Sequence, residues 1–198
     1  MGKGKTEERL IVCISGLAGS GKSTLARKLA AKYGLRCYSG GDALKALAIN
    51  EGYKAIESGW WESEEGLHFL EKRINDAKFD KAVDKKLMKL AEEGNVILDS
   101  WTMPWLLKEG FKIWLEASLE KRAERIATRD SMSFNAALRA LREKERKTNR
   151  IYKELYGFNL GDDFAPFRLI LDTDALDAKE VFAVLCMVMD NVAMKAVP

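Results

Sequence analysis

Five short apolar blocks along the chain each predict a β-strand. The first, residues 10–14, is apolar throughout, which is typical of a strand that is buried on both faces. Between the blocks, apolar residues recur at helical spacing, as Leu67, Leu70 and Ile74 do within residues 62–93. The predicted strands cover residues 10–14, 35–39, 94–99, 111–115 and 167–171.

Strands that alternate with helices predict a parallel sheet with helices on both sides, a three-layer αβα arrangement of the α/β class. No linker, internal repeat or low-complexity segment divides the chain, so we expect residues 1–198 to form one domain. Asp42 is a candidate N-cap for a helix over residues 43–51, and a last helix is predicted over residues 177–194. His68 has no second metal-ligand candidate near it and is interpreted as a structural residue.

Composition indicates a globular protein and excludes several other classes. The chain has 198 residues, of which 47% are apolar and 32% charged, and its net charge of +3 does not by itself indicate a nucleic-acid partner. The longest apolar run, residues 181–189, is shorter than the roughly 20 residues that span a bilayer, and the polar N-terminus lacks a signal-peptide core. The three cysteines have no metal-ligand spacing, so we expect reduced core thiols in a cytoplasmic protein without a membrane partner.

Residues 16–24, GLAGSGKST, match the P-loop pattern G-x-x-x-x-G-K-[ST] between a predicted strand and a predicted helix. Glycines let successive backbone N–H groups approach a polyphosphate closely, and the helix that follows adds its positive end. Lys22 can then reach the β- and γ-phosphates of ATP, and the Ser23 hydroxyl can bind Mg²⁺. The candidate residues for binding ATP are Gly16, Gly19, Ser20, Gly21, Lys22, Ser23 and Thr24.

Asp99 ends the third predicted strand. Ligands of such sheets bind beyond the carboxyl ends of the strands, so residues 16–24, 39–42 and 99–101 should face one crevice. An acid at this position helps to hold Mg²⁺, usually through water. The alternative is that Asp99 simply ends a strand.

The segment 119–154 is strongly basic, with eleven Lys and Arg residues against six Asp and Glu. Arg139, Arg142, Arg146 and Arg150 recur at spacings that form one stripe along a helix. Such a stripe suits a mobile lid that closes over transferring phosphates. The alternative is a solvated helix face paired with glutamates, which we expect for Lys144, Lys147 and Arg139.

With these elements assigned, the chain resembles the archaeal-type cytidylate kinases, a branch of the nucleoside monophosphate kinase family. The resemblance runs from Leu10 to about Val188. After the P-loop, its most specific part is residues 112–130, where Arg125 and Arg129 match the start of the kinase lid. The other matching segments are residues 39–41, 95–99, 137–145, 152–160 and 169–173.

The resemblance implies a P-loop kinase fold with a five-stranded parallel sheet and a helical, arginine-rich lid over about residues 130–158. It also implies a helical acceptor-binding insertion over about residues 40–93. The expected reaction transfers a phosphoryl group from ATP, with Mg²⁺, to CMP or dCMP, in a monomer or weak dimer. The implied catalytic residues are Lys22, Asp99, Arg125, Arg129 and Arg142, and the implied acceptor-side residues are Ser39, Gly41, Asp42, Lys45 and Trp101.

Four positions depart from the family pattern, all on the acceptor side. Lys45 and Trp101 stand where the family has arginines, Ile151 where it has the arginine of an Arg-Tyr pair, and Phe167-Arg168 where it has Tyr-Asp. These changes leave two alternatives open. The first is a kinase for a hydroxyl group of a nucleoside or another small metabolite, with Asp42 or Asp99 orienting the hydroxyl. The second is a P-loop ATPase that acts as an RNA-binding or assembly factor, which only the basic lid supports.

Overall fold

A five-stranded, all-parallel sheet forms the centre of the protein in a computed structural model that describes residues 9–54, 56 and 59–193. The strand order is β2-β3-β1-β4-β5. This confirms the predicted parallel sheet, with each strand within two residues of its predicted start. The strands are β1 Ile11–Ser15, β2 Arg36–Ser39, β3 Val96–Asp99, β4 Phe111–Glu116 and β5 Leu169–Asp172.

Helices connect the strands, as the alternating pattern predicts. A 3-10 turn, Trp60–Glu62, precedes α3, and a π turn, Met189–Ala193, follows α8. The helices are α1 Lys22–Tyr33, α2 Gly40–Asn50, α3 Glu64–Asn75, α4 Lys78–Glu93, α5 Met103–Leu106, α6 Leu119–Asp130, α7 Phe134–Tyr156 and α8 Ala178–Val188.

Two apolar layers cover the sheet, because successive side chains of β1 point to opposite faces. Val12 and Ile14 pack in the layer formed with α1 and α8, whereas Cys13 packs against α2, α3 and α4. The predicted three-layer αβα fold is therefore confirmed. Over the described ranges, no helix has the length and hydropathy needed to cross a membrane.

The helical pattern of residues 62–93 forms two helices, α3 and α4. Asp76 is extended between them, and its side chain accepts a hydrogen bond from the Lys78 amide at 3.1 Å. Two other local predictions about helices are wrong. Asp42 is not the N-cap of α2, since the Ser39 hydroxyl accepts from the Asp42 amide at 3.1 Å and the helix begins at Gly40. The last α-helix ends at Val188, where the π turn begins.

The carboxyl ends of the inner strands gather the predicted site residues. Asp99 lies opposite Ile14 of β1 on one side and opposite Ser39 of β2 on the other. The P-loop leaves β1 at this same edge, so the sheet itself brings the three predicted segments together.

Candidate active site

The P-loop requires glycine at two positions where the chain passes close to its neighbours. A Cβ at Gly16 would lie 2.5 Å from the Leu115 carbonyl oxygen, and one at Gly19 would lie 2.8 Å from the Arg122 carbonyl oxygen. Both residues have positive φ, +148° and +85°. The loop then enters α1 at Lys22. No side chain of the described residues caps this helix, so its first N–H groups are available to an anion.

A cavity of about 490 Å³ opens at the P-loop and extends between α3, α4, α6 and α7. Most of the predicted site residues line it, which brings the expected donor and acceptor segments to one space. Those that line the cavity are Gly19, Gly21, Lys22, Ser23, Thr24, Ser39, Gly41, Asp42, Lys45, Asp99, Trp101, Arg125 and Arg129. Gly16, Ser20 and Arg142 do not line it.

Lys22 points into a strongly charged environment. Burial lowers the pKa of its ammonium group, and the charges of Lys144 and Arg129 add to this effect. The carboxylates of Asp99 and Glu62 act in the opposite direction. A phosphate placed here would favour the charged form of Lys22 and be bound by it.

Trp101 connects the end of β3 to the P-loop. Its indole nitrogen donates a hydrogen bond to the Gly16 carbonyl oxygen at 2.6 Å. The ammonium groups of Lys22 and Lys144 lie 5.3 Å and 5.8 Å from the centre of its ring, within the range of cation–π attraction. The sequence marks Trp101 as an altered acceptor position, but the structure also joins it to the phosphate-binding loop.

The prediction that Lys144 and Lys147 lie on a solvated face of α7 is wrong. Lys144 and Lys147 are both buried, with their ammonium groups 2.8 Å from Glu62 and Glu71 respectively. Because α7 packs on α3 and on the 3-10 turn, the long lysine stems are covered and only paired ammonium groups are tolerated there.

The arginine stripe of α7 lies on the opposite face and is exposed. Arg146 pairs with Glu143 at 2.8 Å, and Arg150 pairs with Glu154 at 2.9 Å. Arg142 is likewise exposed, so its catalytic role stays a prediction. The solvated-face alternative describes this stripe as it stands in the structure.

The two arginines of α6 do line the cavity. Arg125 donates to the Thr173 hydroxyl at 3.1 Å and to the Thr173 carbonyl at 2.8 Å. Arg129 is half exposed and pairs with Asp130 at 2.5 Å and with Glu62 at 3.1 Å. Arg129 therefore reaches the cavity from its solvent side.

On the acceptor side, Lys45 is already engaged. Its ammonium group donates to the Ile56 carbonyl at 2.7 Å. Asp42 is exposed at the start of α2. Lys45 is thus held toward the loop after α2. Residues that the sequence did not mark also line the end of the cavity where the acceptor is expected.

A buried ion pair, which sequence reasoning missed, occupies this acceptor end. Arg73, only 2% exposed, donates from Nε and Nη2 to the two carboxylate oxygens of Asp80, at 3.0 Å and 2.5 Å. Burial opposes the charge of Arg73, but the neighbouring Asp80 raises the net pKa of the guanidinium above its usual range. The only signal in the sequence is an arginine and an aspartate seven residues apart, which ordinary helices also contain.

A second buried carboxylate lies next to this pair. Asp84 accepts hydrogen bonds from the hydroxyl groups of Thr102 and Tyr156, and burial raises its pKa. The cavity wall nearby includes Ser100 and Tyr152. Carboxylates, a guanidinium and hydroxyls therefore lie together in a partly aromatic pocket.

Neither predicted metal ligand belongs to a dense acidic cluster. In the described part of the chain, no three His, Cys, Asp or Glu residues are grouped to hold a metal ion. Ser23 and Asp99 nevertheless line the same cavity, and two protein oxygens suit Mg²⁺, which keeps several waters and takes phosphate oxygens as ligands. His68 is exposed and lies against the Tyr53 ring, 5.7 Å between centres, as expected for a structural residue.

The strand order, the glycine-rich loop with its lysine and the acid after β3 define a P-loop kinase fold. Solved structures share this fold over nearly the whole chain. A shikimate kinase from Bacteroides thetaiotaomicron has a TM-score of 0.55 at 14% identity and covers 91% of this chain and 96% of its own. A deoxyadenosine kinase from M. mycoides has a TM-score of 0.55 at 16% identity and covers 92% of this chain and 100% of its own.

Sequence comparison identifies the family within that fold. Residues 11–175 match the model of the cytidylate kinase-like family. The cytidylate kinase of Methanocaldococcus jannaschii is 33% identical over 92% of this chain and 98% of its own length, and that of Pyrococcus horikoshii is 31% identical over 93% and 91%. The protein belongs to the cytidylate kinase-like family, which confirms the resemblance inferred from its motifs.

Proposed function

We propose that this protein transfers the terminal phosphoryl group of ATP to a nucleoside monophosphate, CMP or dCMP, and releases ADP and the nucleoside diphosphate. The observation that carries the proposal is the continuity of the cavity. It begins at Lys22 in the P-loop and ends at the buried Arg73–Asp80 pair. Asp99 lines the same cavity, so a donor bound at the P-loop and an acceptor bound beside Arg73 would meet near it.

On the donor side, the backbone amides of the P-loop and the start of α1 would bind the β- and γ-phosphates, with Lys22 as their cation. Ser23, and Asp99 through water, would hold Mg²⁺. When bound, the metal would neutralise negative charge that develops on the phosphoryl group during transfer. These roles need positioned charges rather than a nucleophile on the protein.

On the acceptor side, a monophosphate oxygen is already anionic near neutral pH, so no general base is required. Lys144 and Arg129, which line the cavity beside Lys22, are the nearest candidates to compensate its charge. They would take the place of the arginines that the family has at positions 45 and 101. Positioning and charge neutralisation then supply the catalysis.

The chemistry of the deep pocket supports cytosine as the base. Cytosine presents an amino donor beside two acceptors, and carboxylates commonly accept from that amino group. Asp80 or Asp84 could accept from it, while Arg73 donates to the ring nitrogen or carbonyl. Uracil would instead place a carbonyl oxygen against a buried carboxylate, an unfavourable contact.

A coupled ADP-release assay with ATP and Mg²⁺ tests the proposal directly. The acceptors are CMP, dCMP, UMP, AMP, GMP, cytidine, deoxycytidine and small polyols. We expect CMP or dCMP to exceed all others in kcat/KM. Lys22→Ala should abolish turnover, whereas Lys28→Ala, on the exposed face of the same helix, should not change it.

The second candidate is phosphorylation of a hydroxyl group. It is favoured by Trp101 in the place of an arginine and by Lys45, whose ammonium group is bound to the Ile56 carbonyl. Asp99 or Asp42 would then orient the hydroxyl. A clear preference for cytidine, deoxycytidine or a polyol over every monophosphate would establish this candidate and overturn the first. The RNA-binding alternative loses support because Arg146 and Arg150 of the basic stripe are paired with glutamates.

A further inference from the structure

Glu62 is a buried carboxylate that two cations share. It ends the 3-10 turn before α3, and its side chain is 3% exposed. Its Oε1 atom accepts from the Lys144 ammonium at 2.8 Å, and its Oε2 atom accepts from the Arg129 guanidinium at 3.1 Å. Burial opposes ionisation of Glu62, but Lys144 and Arg129 lower its pKa overall, so it is anionic at neutral pH.

The two cations come from different helices. Arg129 lies in the last turn of α6, and Lys144 lies in α7, beyond the short connection at Ser131–Ser133. Glu62 belongs to neither helix, because it precedes α3 in the segment on the acceptor side. One carboxylate thus joins α6, and α7 of the predicted lid, to the segment expected on the acceptor side of the cavity.

The same three residues face the phosphate-binding end. Lys144, Arg129 and Glu62 line the cavity with Lys22, and all three influence the pKa of Lys22. Three cations therefore surround a space whose expected ligands are polyanions. With no ligand bound, Glu62 is paired with two of them, Lys144 and Arg129.

Phosphate can compete with Glu62 for hydrogen bonds from Arg129 and Lys144. Arg129 is 53% exposed and has Asp130 as a second partner at 2.5 Å, so it can leave Glu62 at little cost. An ammonium group has three donors, and the Lys144–Glu62 hydrogen bond uses one of them. A phosphate, with up to two negative charges, competes well for the others.

We propose that Glu62 is a positioning residue that holds Lys144 and Arg129 in place of a phosphate and releases them to the phosphate groups of the bound substrates. The inference rests on the phosphoryl transfer proposed above. It adds an acidic residue, Glu62, to a set of site residues that are mostly cations. Glu62 keeps the cations oriented for catalysis, and it competes with phosphate for them. Its removal should therefore strengthen ground-state binding while lowering turnover.

The test compares Glu62→Gln with the native protein by calorimetric titration of ATP, CMP and tripolyphosphate, and by steady-state kinetics. Because glutamine keeps the shape but loses the charge, we expect Kd for ATP, CMP and tripolyphosphate to fall about fivefold and kcat to fall by at least a similar factor. Glu154→Gln is the matched control, since Glu154 pairs with the exposed Arg150 away from the cavity. Weaker or unchanged binding by folded Glu62→Gln overturns the proposal.

A double-mutant cycle with Lys144→Met shows whether the effect passes through Lys144. In the Lys144→Met background, Glu62→Gln should no longer tighten binding by the same factor. Full tightening in that background contradicts the proposal. Glu62→Asp, which retains the charge, should return Kd toward the native value.

If Glu62→Gln does not fold, Lys144→Gln decides the test. The proposal predicts a loss of tripolyphosphate affinity of about tenfold, whereas a purely structural ion pair predicts lower stability with unchanged affinity. Tripolyphosphate binding does not depend on the acceptor, so these results stand even if the native protein phosphorylates no nucleotide. If the native protein turns over and Glu62→Gln has the same ligand affinities and kcat, the role of Glu62 is rejected while the proposed function stands.

Discussion

The indole nitrogen of Trp101 lies 2.6 Å from the carbonyl oxygen of Gly16, so a residue that the sequence predicts on the acceptor side is hydrogen-bonded to the first glycine of the P-loop. This contact links the end of β3 to the loop that the donor phosphates would occupy. It also places an aromatic ring beside both Lys22 and Lys144. Trp101, which the sequence predicts as an acceptor-side residue, therefore also contacts the P-loop.

Trp101→Phe should weaken ATP binding while the ring is retained. The Gly16 carbonyl would lose its partner, so we expect KM for ATP to rise by about fivefold, the effect of one hydrogen bond. Steady-state kinetics with ATP varied measures this change. Trp105→Phe is the control because it also removes an indole hydrogen bond, to Asp163 at 2.8 Å, but outside the cavity. Equal effects of the two variants would show that the Gly16 contact has no special role.

Gly19→Ala should eliminate ATP binding, because the added methyl group would distort the P-loop backbone. The added Cβ would lie 2.8 Å from the Arg122 carbonyl oxygen, in a backbone with φ of +85°. Gly34→Ala provides the comparison, since Gly34 also has positive φ, +65°, but open space around it. Both variants should lose about 1 kcal/mol or more of unfolding free energy from the left-handed backbone, measured in urea. Only Gly19→Ala should lose ATP affinity, and retention of affinity would contradict our account of the loop.

Asp80→Asn should destabilise the protein by about 3–5 kcal/mol, because it leaves the buried Arg73 guanidinium without its counter-ion. Urea unfolding measures the change. The exposed pair Arg36–Glu93 is the control, and Glu93→Gln should cost less than about 1 kcal/mol. The double variant Arg73→Met with Asp80→Leu should recover stability but still use CMP poorly, with Kd for ATP unchanged. Normal use of CMP by that double variant would remove Arg73 and Asp80 from the acceptor site.

The activity should decline at high pH earlier than an ordinary lysine would cause. Burial lowers the pKa of Lys22, and an amine loses its positive charge as pH rises through its pKa. The kcat/KM for ATP should therefore decline at a pH below about 10.4, the ordinary pKa of a lysine. Lys144→Met removes a neighbouring positive charge, so it should move this decline to higher pH. Lys147→Met, whose ammonium group pairs with Glu71 and Glu143, should not move it. If Lys144→Met leaves the pH of the decline unchanged, a group other than Lys22 causes the decline.

Local patterns were sufficient for the sheet and the donor half of the site. The apolar block before the P-loop, the glycine spacing in residues 16–24 and the acid at Asp99 are each encoded within a few consecutive residues. Parallel topology then forces Gly16, Ser39 and Asp99 to the same edge. Both Ser39 and Asp42 can cap a helix, so the choice between them depended on where the chain leaves β2.

The sequence by itself determined that this protein has a phosphate-binding loop on a parallel sheet, because those features follow from short-range spacing and backbone sterics. Only the tertiary structure decided which cations reach the cavity. A helix such as α7 carries basic residues all round, and its packing on α3 turned Lys144 inward and left the arginine stripe exposed. The partners Arg73 with Asp80 and Lys144 with Glu62 were decided in the same way, since burying a charge requires a counter-ion that the fold must bring from another element.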